Sequence, residues 1–145
     1  GKLCRFTTDT DAPTGYSDDG AAINAYWETA DLDGELFFHV KTFTGVAVRL
    51  AASLYTGVKI FALVRGDWQQ VYDAKAKARY LTWEYIDFEK FTFSGDRTPR
   101  TLYGKIKLKK VDKVRFRLQN TEKNEPFGLY AFGVQYREPG NNYKR

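Results

Sequence analysis

The chain has no methionine, one cysteine (Cys4), one histidine (His39) and four prolines in 145 residues. A single cysteine excludes an intrachain disulfide and a thiolate metal cluster, and Cys4 reads as a small apolar filler. A single histidine in the run "FFHVKTF" leaves a Ser–His or Cys–His couple without a partner that spacing could supply. No P-loop, G-x-G-x-x-G, H-E-x-x-H or G-x-S-x-G occurs, so the chain is read as non-enzymatic, with no cofactor. No stretch approaches the roughly 18 uncharged apolar residues of a spanning helix, and no basic-plus-apolar signal segment opens the chain; no membrane partner is expected. The missing methionine and the abrupt start "GKLCRF" read as a piece of a longer polypeptide.

What is present is aromatic and periodic. Phe, Tyr and Trp make up 17% of the chain, enough apolar surface to offset the entropy of ordering one domain. The dominant period is two, that of a strand. Ile23, Ala25 and Trp27 alternate with Asn24, Tyr26 and Glu28; Val46, Val48 and Leu50 alternate with Ala47 and Arg49. Val58, Ile60, Ala62 and Val64 form one face of a strand whose other face, with Phe61 and Leu63, is also partly apolar, which predicts a central position. "RGDWQQVY" predicts a hairpin with Gly66 and Asp67 in the turn. Ile106 and Leu108, then Val114, Phe116 and Leu118, mark two further strands, expected to be antiparallel neighbours joined by a turn at 110–112. Tyr130, Phe132, Val134 and Tyr136 form one face of the last strand. Trp27 and Trp68 sit among apolar neighbours and are expected in the core. Helix signals are weak: "DAKAKARYL" has helix formers without an apolar stripe, and "WEYIDFEKF" is read as at most one turn, with Tyr85, Phe88 and Phe91 on one side. The expectation is an all-β, antiparallel two-sheet β-sandwich, jelly-roll-like, of about seven to eight strands with at most one or two short helical turns. Residues 1–17 are read as a linker or the end of a preceding region, 18–138 as a single domain and 139–145 as a C-terminal tail.

Charge is polarised along the chain. Residues 1–38 contain two basic and eight acidic side chains, whereas 97–117 contain nine basic ones and a single acid, Asp112. Lys105, Lys107, Lys109, Lys113, Arg115 and Arg117 alternate with apolar residues, so two paired strands would line six cations along one face. Such a face suits an anionic partner, either a nucleic-acid backbone or an acidic protein surface; on an edge it also discourages aggregation. Base readout is not expected, since no recognition helix or aromatic platform motif is legible. "DTDAPTGYSDDG" and "DLDGE" offer oxygen ligands of the kind calcium takes, but without the rest of a binding loop they read as solvated turns, and no metal site is assigned. The tryptophans and tyrosines raise glycan stacking as an alternative.

"NEPFGLYAFGVQYRE" begins with a specific corner. Asn124 favours a turn, Pro126 fixes its own φ and biases Glu125 to extended geometry, Phe127 is placed to anchor under the sheet, and Gly128 permits a bend before the strand. Together with "DDGAAINAYWET", "IDFEKFTFSGDRTPR", the run from Lys105 to Glu138 and the closing "GNNYK", this stretch resembles a C-terminal β-rich domain of large structural proteins of tailed bacteriophages and prophages. The resemblance implies a virion component, in a tail or connector, that is assembled in the host bacterial cytoplasm. It implies partners that are other virion proteins or copies of itself, with a DNA-backbone or glycan contact as further options, and no catalytic residues.

Overall fold

A computed structural model describes residue 12 and residues 14–138, except 52, 54, 79–82, 85, 87, 89–92 and 94–96. Two-residue strands β1 (Ser17–Asp18) and β2 (Ala21–Ala22) make a small hairpin. The longer strands are β3 (Ala25–Glu28), β4 (Lys41–Leu50), β5 (Tyr55–Val64), β6 (Asp67–Ala78), β7 (Arg100–Val111), β8 (Arg115–Asn120) and β9 (Leu129–Arg137). All pairings are antiparallel, and the described residues contain no helix. The seven longer strands form a four-stranded sheet, β3-β8-β5-β6, and a three-stranded sheet, β7-β4-β9. The protein is therefore an all-β, sandwich-like domain, with strands at the seven places where the period-two signal lies.

Both tight hairpins have positive φ at each central residue: Asp19 (46°) with Gly20 (83°), and Arg65 (56°) with Gly66 (96°). That is the twist-matched two-residue turn. Arg-Gly-Asp is thus a β5–β6 turn, with Asp67 already in β6.

The alternating residues of the two sheets meet in one core. Val58, Ile60, Ala62, Phe116 and Leu118 from the first sheet face Phe43, Val46, Val48, Leu50, Ile106 and Leu108 from the second. Phe116 packs edge-on against Phe43 (ring centroids 6.2 Å apart) and Phe132 (5.3 Å), which staples the layers together. At the β6/β7 margin the ring of Tyr72 lies over Gly104, where a Cβ would come within 2.5 Å of Tyr72 Cδ2. Two bulges set which side chains reach the core. The irregularity between Phe43 and Gly45 shifts the inward set of β4 from Lys41 and Phe43 to Val46, Val48 and Leu50. The one between Arg49 and Leu50 brings Leu129 opposite Leu50 and leaves Tyr130 exposed, so Tyr130 does not share the inner face with Phe132 and Val134.

Three further expectations are corrected. First, β7 and β8 are not paired: they lie in different sheets. Lys110 takes a positive φ of 54°, and buried Val111 and Val114 carry the link across the end of the sandwich, where Val114 exchanges backbone hydrogen bonds with Leu32 (2.8 and 3.1 Å). Second, residues 73–78 are strand, not helix, because pairing with β5 (Val58 with Ala74, Tyr55 with Ala78) outweighs local helix propensity; most of "WEYIDFEKF" lies outside the described residues. Third, Trp27 is 45% exposed, since β3 is an edge strand; the Phe132 ring stacks edge-on against it (6.4 Å). Trp68 is half-buried, under Arg117 rather than in the core. Near the start of the described residues, β1 begins at Ser17, and the Tyr16 carbonyl accepts a hydrogen bond from the Asn124 amide (3.3 Å).

Candidate functional site

The corner singled out in the sequence is a structural clamp between β8 and β9. Asn124 sits at φ 62°, a conformation Asn tolerates better than most residues. Buried Asn120, the last residue of β8, donates from Nδ2 to the Gly57 carbonyl (3.0 Å) and to Glu125 Oε2 (3.2 Å) and accepts from the Glu122 amide (2.8 Å). The Pro126 carbonyl accepts from Thr56 Oγ1 (3.1 Å), and the Gly128 carbonyl accepts from the Ala51 amide (2.8 Å). A Cβ on Gly128 would lie 2.7 Å from that of Ala51, so the close approach requires glycine. Phe127 packs on the core. These five residues hold the crossing between the sheets.

The six cations expected on one face are divided between the two sheets, and the two groups have different surroundings. On the outer side of the four-stranded sheet, Lys113 Nζ and Arg115 Nε bind the two oxygens of Asp31 (2.9 and 3.0 Å). Arg117 binds Glu28 (2.6 Å) and lies over the rings of Trp68 (4.2 Å) and Tyr26 (5.3 Å). The Lys113 and Arg115 hydrogen bonds hold the Asp31 carboxyl below its ordinary value of 3.8, and the same contact raises Lys113. Here the acidic N-terminal third meets the basic run within the chain, and two carboxylates hold all three cations in ion pairs.

The three-stranded sheet differs. Its strands, "KTFTGVAVRL", "RTLYGKIKLKKV" and "LYAFGVQYR", contain no acidic residue. Lys105, Lys107 and Lys109 point outward, between inward Gly104, Ile106 and Leu108, and make no ion pair among the described residues. Arg137 joins them from β9, beside Thr42. Arg49 stands between, with Nε donating to Thr101 Oγ1 (3.1 Å). Cross-strand register places Tyr103, Ala47 and Gly133 in one row and Lys105, Gly45 and Gln135 in the next. The small residues leave a shallow groove of about 500 Å³, bordered by Tyr103, Lys105 and Gln135. Tyr103 is 78% exposed, and nothing lies within 4 Å of where a Gly133 Cβ would be.

This surface can bind an anionic or acidic partner. Like charges spaced two residues apart on a strand repel and raise the local potential that an incoming anion relieves. The sequence located Lys105, Lys107 and Lys109 but missed Arg49, Arg137 and the glycine-alanine floor, which depend on β4 pairing with both β7 and β9. The absence of acids from all three segments was the available signal. Among the described residues no group of three or more His, Cys, Asp or Glu converges as metal ligands would. On the four-stranded sheet Tyr26 and Trp68 share the outer face, but Arg117 lies over both rings, and Trp27 points to the opposite face from Tyr26. Compared with known proteins, the chain matches no family model, no curated protein and no solved structure.

Proposed function

We propose that this chain is a non-enzymatic structural domain of a tailed-phage or prophage particle, in a tail or connector assembly, and that it makes subunit contacts through the outer face of the β7-β4-β9 sheet. The observation that carries the reading is the contrast between two basic surfaces of one molecule. Lys113, Arg115 and Arg117 are ion-paired within the chain to Asp31 and Glu28, whereas Lys105, Lys107 and Lys109 face solvent on a sheet without acids. A protein partner with an acidic surface fits this face: it gains long-range attraction and register from the charges, and the groove gives it shape to match. The phage assignment is supported by the "NEPFGLY" corner and its flanking strands, whose residues form the clamp between the sheets. The glycan-binding alternative has less support, because Arg117 lies over the outward rings of Tyr26 and Trp68 and Trp27 points to the opposite face.

The test is composition. Particles released from cells carrying the encoding phage or prophage, purified by density and analysed by mass spectrometry, are expected to contain this polypeptide at fixed stoichiometry. Its consistent absence from purified particles would refute the assignment.

A further inference from the structure

The apolar tip of the loop between β3 and β4 is held from beneath by a buried cation. Lys41 is fully buried, and its ammonium donates to the Leu36 carbonyl (2.6 Å) and the His39 carbonyl (3.0 Å), with Glu138 Oε1 3.8 Å away. Gly34, at φ +68°, makes room for it, since a Cβ there would lie 2.6 Å from Lys41 Cε. The His39 amide closes the turn on the Leu36 carbonyl (3.1 Å), and the His39 ring stacks edge-on against Phe38 (4.6 Å). Burying an ammonium is costly unless its hydrogen bonds are well made. Here they fix a loop that presents Leu36, Phe37 and Phe38 to solvent, Phe37 at 71% exposure. Asp33 and Glu35 flank this knob, both exposed and without an ion pair among the described residues.

Knob and groove are complementary. The knob is apolar with acidic flanks; the groove has a floor of Gly45, Ala47 and Gly133 and the basic border of Lys105, with Lys107 and Arg49 beside it. Lys41 tethers the knob at the end of the sandwich, so it is not free to fold back onto the groove of its own chain. We propose that the 36–38 knob of one copy docks in the Gly45–Ala47–Gly133 groove of a second copy, with Asp33 and Glu35 facing Lys105 and Lys107. This rests on the assembly reading and names its partner. The two patches are different parts of the surface, so the contact is heterologous and leaves one free patch at each end, which propagates into a ring or filament. One loop in one groove is small for a specific interface, so association is expected to depend on concentration and to weaken with salt.

Sedimentation velocity over a concentration series up to the millimolar range tests it. The wild type is expected to grow beyond dimers, and less so in high salt. Phe37→Ser removes the knob and Gly133→Trp fills the groove; each is expected to weaken association about tenfold or more. Mixed together, each variant retains one good patch, so the pair is expected to stop at one-to-one. If either variant melts below the wild type, the charge pair Glu35→Lys and Lys105→Glu replaces it, with the double variant regaining what each single change loses. A wild type that stays monomeric throughout, or variants that associate unchanged, overturns the proposal. So does a monomeric wild type that binds duplex DNA through Lys105 and Lys107. In either monomeric case the assembly reading is judged separately, by particle composition.

Discussion

At the scale of single residues, the fold depends on a few positions where ordinary side chains do not fit. Asn124 is one: its backbone is left-handed, and its Oδ1 is buried without a partner among the described residues. Asn124→Ala is expected to cost about 1 kcal/mol, because Ala keeps the Cβ that resists this conformation and loses the short polar side chain that lets Asn adopt it. Asn124→Gly is expected to cost clearly less, since it keeps the conformation and removes an orphaned acceptor. Chemical denaturation of the two variants checks the order, and equal losses would contradict it. Asp31 is another such residue. Its folded carboxyl titrates below 3.8, first through Lys113 and then through Arg115. Its contribution is therefore fully present above pH 3.8 and is lost as pH falls through the lower folded value. The three groups face solvent, so the contribution is small, and the midpoint is the better readout. A carboxyl-detected NMR titration is expected to place it below 3.8 in the wild type and nearer 3.8 in Lys113→Gln. An unchanged midpoint would remove the assigned cause.

At the scale of elements, strand existence was legible in the sequence and strand partnership was not. Alternation identifies β3 through β9 because their two faces meet different surroundings, weakly so in edge strand β3, and a strand's period does not depend on its neighbours. Pairing does. "KIKLKKVDKVRFRL" reads as a hairpin because its two strands are close in sequence, yet buried Val111 and Val114 draw the link across the sandwich. The same change of sheet divided the six predicted cations, three left facing solvent and three matched to acids about 80 residues away (82 for Lys113 with Asp31). The bulges at Gly45 and Tyr130 were equally hidden, because a one-residue insertion alters inward phase without altering composition. The "NEPFG" corner was legible as a turn with an anchor, but its tie to Asn120 through Glu125 was not. The sheet margin supplies the prediction at this scale. Gly104→Ala would drive a methyl into the Tyr72 ring, and overpacking of this kind costs about 1–3 kcal/mol. Adding Tyr72→Leu should recover part of the loss in thermal melts; a Gly104→Ala protein as stable as the wild type would show that the sheets do not close there.

For the whole molecule, the account turns on two surfaces of like sign and unlike function. One basic surface is ion-paired with the chain's own acids and packs Arg117 over Tyr26 and Trp68. The other, across the sandwich, is left open on a sheet without acids, next to a groove floored by glycine and alanine. Internal pairing thus explains why the charge polarity seen along the sequence need not all be spent between molecules. The cations left unpaired on the other sheet lie on the side proposed to meet a partner. The most direct measurement is incorporation into particles of full-length protein carrying Lys105→Glu, Lys107→Glu and Lys109→Glu, with Lys113→Gln as the control on the ion-paired face. The account predicts a folded triple variant that is lost from particles, with the control incorporated normally. Normal incorporation of the triple variant would contradict it.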